Sequence, residues 1–136
     1  MKLYHFASAG RLAQIMDDGY LKVTESNMSR TREHAGPDVV WLTSDPDPSA
    51  QPWKSGAPVD KTAVRFTVDV PKREAQRWRG WATRRGIDPR WLKNIAASGG
   101  SGRWYVIERP VPRAEWIEIV HTATGAIIDD PRPVAS

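Results

Sequence analysis

The chain contains no cysteine. A thiol nucleophile, a disulfide framework and a thiolate zinc site are therefore excluded. Histidine is limited to three residues, His5, His34 and His121, too far apart in sequence for a local metal-ligand motif. No apolar run approaches the length of a membrane-spanning helix, and the amino end lacks the basic-then-apolar pattern of a secretion signal. The expectation is a soluble, cytoplasmic protein with no membrane partner. Motifs with a known mechanism are missing too. There is no Gly-x-Gly-x-x-Gly turn after a strand, no phosphate loop ending in Gly-Lys-Ser/Thr, no His-Glu-x-x-His pair, and no nucleophile elbow around Ser8 or Ser44.

What is present describes an ordinary globular chain with one oddity. Its 136 residues are 40% hydrophobic and 26% charged, close to globular averages. One core, and hence one domain over residues 1–128 with a loose tail at 129–136, is the expected organisation, more readily a monomer than an oligomer. The oddity is tryptophan, at seven residues. Tryptophan usually fills cores or interfaces, but beside arginine it can form a surface for flat rings. The net charge of +4 and the pI near 9.7 suit a polyanionic partner without requiring one.

Periodicity and punctuation divide the chain into short elements. Leu3 to Phe6 reads as a buried strand. Ser8 is placed to cap a helix whose Leu12, Ile15 and Met16 share one face, and Gly19 stops it. Tyr20 to Thr24 is a second strand candidate, residues 25–37 a polar loop, and Val39 to Thr43 a strand buried on both faces. The proline-rich stretch from Ser44 to Asp60 is a long loop of the kind that forms lids. Thr62 to Val70 alternates as a half-buried strand. A basic helix is expected from Pro71 to about Arg85, ended by Gly86, and a shorter one after Asp88-Pro89. Ser98 to Gly102 reads as a flexible turn. Strands at Arg103–Arg109 and Trp116–Val120 follow, joined by a connection at Val111–Ala114. The pattern predicts an α+β fold on one small sheet or two.

Three positions stand out chemically. His5 is either a core histidine bonded to backbone or a ligand contact with one nitrogen fixed and the other offered, since burying imidazole demands partners. Trp41, Thr43 and Ser44 end a buried strand, where a core tryptophan and a turn hydroxyl are the commoner roles. Glu108 ends an apolar strand, and is either a solvated residue or a carboxylate aimed into a cleft. Glu118 and Glu25 are weaker candidates of the same kind.

Tyr4-His5-Phe6, the helix after it and Gly19-Tyr20-Leu21 together resemble the opening of the ADP-ribosyltransferase-like superfamily. Val39-Val40-Trp41-Leu42-Thr43-Ser44 resembles that superfamily's second motif strand, although it carries tryptophan where tyrosine is usual. The resemblance implies NAD as substrate. His5 and Tyr4 would hold its ribose end, Trp41 would stack on nicotinamide, and Thr43 and Ser44 would add hydroxyl contacts. Glu108 takes the place of the third-motif acid. Cleaving the nicotinamide–ribose bond builds an oxocarbenium ion that a carboxylate stabilises, and the same acid can activate the incoming nucleophile. Arg30 and Arg32 would meet the pyrophosphate. The implied reaction is ADP-ribosyl transfer to nucleic acid or protein, or NAD hydrolysis, in an enzyme, toxin or effector. The alternative is a non-catalytic module whose Arg77, Arg79, Arg84 and Trp81 bind nucleic acid or an acidic protein.

Overall fold

A computed structural model describes residues 1–24, 37–50, 60–96 and 101–128. Its first strand, β1 (Lys2–Ala7), is followed by helix α1 (Ala9–Asp18). Ile15 is buried, and Leu12 and Met16 pack beside it on the core, the face their spacing predicts. Gly19 ends α1 at φ 77° and its N–H closes onto the Ile15 carbonyl, a left-handed conformation that suits glycine. Strands β2 (Tyr20–Leu21), β3 (Val40–Thr43) and β4 (Val64–Asp69) come next. Then follow β5 (Gln76–Arg77), α2 (Trp78–Arg84), α3 (Pro89–Ala96), β6 (Trp104–Ile107), β7 (Val111–Pro112) and β8 (Trp116–His121).

The fold is α+β. Six strands form one sheet in the order β5-β6-β3-β1-β4-β8, every neighbouring pair antiparallel, and β2 pairs with β7 in a small second sheet. Two elements depart from the sequence expectation. The helix expected from Pro71 begins only at Trp78, because Gln76 and Arg77 instead pair with Val106 and Tyr105 at the sheet edge. The expected connection at Val111 contains a strand, because Val111 and Pro112 find partners in Leu21 and Tyr20. Both segments are two residues long, too short for side-chain periodicity to reveal. The loop residues 25–36, most of the proline-rich stretch, and the tail lie outside the described residues, as do Arg30 and Arg32.

Each face of the sheet carries its own core. On one face Leu3, Ala7, Val40, Leu42, Val64, Phe66 and Val68 pack with Ile15 of α1 and Leu21 of β2. On the other, Val39, Trp104 and Val106 pack with Trp78, Trp81 and Ala82 of α2. This second core is a tryptophan cluster: the Trp41, Trp78 and Trp104 rings lie 5.3 to 5.8 Å apart, centre to centre, within the range where aromatic pairs attract. The tryptophan excess is therefore largely a packing device. Arg109 ties the connections together, donating to Glu74 in the turn before β5 and to Glu115 in the turn before β8, at 2.9 and 2.7 Å. Those hydrogen bonds, Glu115 foremost, hold its pKa above the ordinary arginine value.

Candidate functional site

The sheet has one weak seam. β1 matches β4 at six register positions and β6 matches β3 at four, but β1 and β3 meet only at Tyr4 and Thr43. Beyond that pair the two strands share no ladder position. A side chain bridges the gap where a ladder bond would otherwise be, as His5 Nδ1 lies 2.8 Å from the Trp41 carbonyl. A carbonyl only accepts, so Nδ1 carries the proton and Nε2 keeps a lone pair. Burial lowers the His5 pKa; the Trp41 carbonyl opposes this and the nearby positive charge of Arg11 reinforces it. The ring is thus a neutral hydrogen-bond acceptor, with its edge against Phe66 at 6.3 Å.

A cavity of about 670 Å³ fills the wedge between β1, α1 and β3, a size within the range of small-molecule sites. Its walls combine three kinds of group. Phe6, Ile15, Leu42, Trp41 and Trp104 make it apolar, and His5, Tyr4, Ser8 and Thr43 add polar atoms. Arg11, Lys22 and Lys61 bring positive charge, and Asp18 is the one carboxylate among the described lining residues. Asp18 accepts from Gln14 Nε2 at 2.8 Å and lies 3.4 Å from Lys22 Nζ. Thr43 is buried, and its hydroxyl accepts the Asp45 N–H at 3.1 Å, leaving the hydroxyl hydrogen available to donate.

Of the residues singled out from sequence, Tyr4, His5, Trp41 and Thr43 meet in this cavity. Ser44 does not line it; it is exposed, with its N–H on the Arg103 carbonyl at 3.0 Å. Glu108 does not line it either. Trp104 is the β6 residue on the cavity wall, and Glu108 lies four positions further along, roughly 13 Å at strand rise. There its carboxylate is ion-paired with Arg85. A terminal position on an apolar strand can look to either end of a neighbouring cleft, and antiparallel pairing of β6 with β3 sends Glu108 away from Thr43. Trp81 departs from expectation as well: at 1% exposure it belongs to the core, with Arg85 over its ring at 5.1 Å, and cannot stack on a base. Arg77, Arg79 and Arg84 are exposed. Ser8, Arg11, Asp18 and Lys61 are cavity residues that sequence reasoning missed. For Ser8, Arg11 and Asp18 the available signal was proximity to the His5 strand on the adjoining helix; Lys61 had none.

Comparison with family models, curated proteins and solved structures finds no match. Among the described residues, no helix is long and apolar enough to cross a membrane and no group of acidic and histidine side chains is placed to hold a metal ion.

Proposed function

We propose that this protein binds NAD in the wedge between β1 and β3 and cleaves its nicotinamide–ribose bond, passing ADP-ribose to a macromolecule or to water. The observation that carries the proposal is His5. It is fixed by the Trp41 carbonyl and kept neutral by burial, and it lines a cavity of nucleotide-compatible size. Its Nε2 accepts a ribose hydroxyl. Trp41 supplies an apolar wall for the nicotinamide, and the Thr43 hydroxyl donates to the carboxamide. Glu108 is given no role in this scheme because it does not line the cavity. Asp18 replaces it as the carboxylate that stabilises developing positive charge on the ribose.

A second reading, binding without turnover, draws support from the position of Glu108 outside the cavity, since a fold resemblance does not by itself carry an activity. Nicotinamide release from NAD separates the two. The expected result is release by the wild type and by Glu108→Gln, with loss in Asp18→Asn while NAD still binds. Binding without release in the wild type supports the second reading. Absence of both binding and release overturns the NAD proposal.

A further inference from the structure

The amino end of α1 points to a ligand that its own capping residue has left room for. Ser8 occupies the N-cap position with extended backbone, φ −73° and ψ 154°, yet its side chain makes no capping hydrogen bond. A capping serine normally accepts a first-turn N–H. Here Ser8 is only 7% exposed, lines the cavity and has no side-chain partner among the described residues. Its hydroxyl is not among the fully enclosed unsatisfied side-chain atoms, so its remaining exposure is to the cavity, where a ligand oxygen can bond it. The first turn carries no acidic side chain to offset its N–H groups. Space is open at Gly10, where an added Cβ would meet nothing within 4 Å.

Positive charge converges on the same place. Arg11 lies in that first turn and Lys61 lies on the cavity wall; both are exposed, and neither forms an ion pair among the described residues. Arg11 is close enough to His5 to help lower its pKa, so its charge is felt inside the wedge. Lys22, by contrast, is already engaged with Asp18. The Arg11 N–H is already given to the Ser8 carbonyl at 3.1 Å; the Ala9 and Gly10 N–H groups, the Ser8 hydroxyl and two cations with no ion pair among the described residues form a set that favours a multiply charged oxyanion.

We infer that the amino end of α1 is a diphosphate subsite, with the Ser8 hydroxyl, the Ala9 and Gly10 N–H groups and the Arg11 and Lys61 side chains binding the bridging pyrophosphate of a nucleotide whose ribose is held at His5. The inference rests on the nucleotide reading of the cavity and adds where the charged part of the ligand lies. Arg11 gives the directional contacts, because its planar guanidinium can hold two phosphate oxygens at once. Lys61 acts as a point charge.

Calorimetric titration of the wild type, Ser8→Ala and Arg11→Gln tests this with four probes: NAD, ADP-ribose, inorganic pyrophosphate and nicotinamide riboside, which has no phosphate. Loss of one charge-assisted contact should weaken ADP-ribose and NAD roughly 10- to 100-fold in Arg11→Gln. Ser8→Ala should weaken them by a smaller factor, and nicotinamide riboside should bind all three proteins equally. Circular dichroism of the same samples establishes that the variants are folded. If NAD binds both variants as it binds the wild type, the subsite is wrong and the NAD reading survives. If pyrophosphate binds the wild type and is lost in Arg11→Gln while NAD does not bind at all, the subsite stands and the NAD reading falls. If none of the probes binds the wild type, both are overturned.

Discussion

Replacing His5 by phenylalanine isolates the hydrogen bond that spans the β1–β3 seam. Phenylalanine keeps a ring that can meet Phe66, but it offers nothing to the Trp41 carbonyl, now 2.8 Å from Nδ1. Orphaning a part-buried acceptor costs about 1–3 kcal/mol, so the variant should lose about 2 kcal/mol of unfolding free energy at pH 7.5. The pH dependence gives a sharper check. The folded-state pKa of His5 is depressed by burial, whereas the unfolded value is near 6.5. Below that value the unfolded chain binds a proton that the folded chain resists, so stability falls as pH falls, and above it the dependence vanishes. At pH 5.5 the penalty approaches about 1.4 kcal/mol, one pH unit below the unfolded value. Other titrating groups are common to both proteins and cancel in the difference. Urea unfolding at pH 7.5 and 5.5 should therefore show the wild type's advantage over His5→Phe shrinking by up to that amount. An advantage that stays constant or grows on acidification would refute the neutral, carbonyl-bonded histidine.

Ser8→Ala should leave stability within about 0.3 kcal/mol, although removing a working serine N-cap costs about 1 kcal/mol, because its side chain makes no capping bond; thermal unfolding without ligand checks this. Arg109→Met should destabilise by about 2 kcal/mol, leaving the Glu74 and Glu115 carboxylates facing each other without their shared cation. Because these groups are partly exposed, part of that loss should be recovered in molar salt, measurable by denaturation at two ionic strengths. Arg77→Gln, Arg79→Gln and Arg84→Gln combined should elute from an immobilised polyanion at markedly lower salt than the wild type. These side chains sit in a segment, residues 72–93, with eight basic and two acidic residues, a net of +6 in a chain of +4. Unchanged elution would show that the charge of this segment does not govern polyanion contact.

Legibility from the sequence followed length and period. β1, α1, β3, β4 and β8 were readable because their apolar residues recur at the right spacing over four residues or more, and Gly19 marked the end of α1. β5 and β7, at two residues each, exist only because a partner strand presents an edge, and no local pattern encodes that. Pro71 is compatible with a helix start, yet the edge pairing of Gln76 and Arg77 delays the helix to Trp78. The site divided along the same line. Tyr4, His5, Trp41 and Thr43 lie on the two strands that border the seam, so a motif read along each strand found them. Glu108 and Ser44 sit on strand ends, where direction depends on pairing that the sequence does not print. Trp81, among arginines in sequence, turns inward because the spacing from Trp78 to Ala82 faces the sheet.

Why the cavity lies where it does follows from that seam. β3 is held to β6 at four positions and β1 to β4 at six, so each is committed to its outer neighbour. The face that carries α1 packs aliphatic side chains; the face that carries α2 packs indole rings. The two central strands share a single ladder position instead of a continuous ladder. The backbone groups left without a ladder there need other partners. His5 satisfies the Trp41 carbonyl, while the first turn of α1 and the Ser8 hydroxyl receive no side-chain partner. A bound oxyanion and ribose would complete the hydrogen bonding that the fold leaves open, which makes ligand binding and closure of the seam one event. On that argument, NAD should raise the thermal midpoint of the wild type and raise it less in His5→Phe, with inorganic pyrophosphate giving a smaller rise that depends on Arg11. Equal rises in wild type and His5→Phe would show that the ligand does not engage the seam.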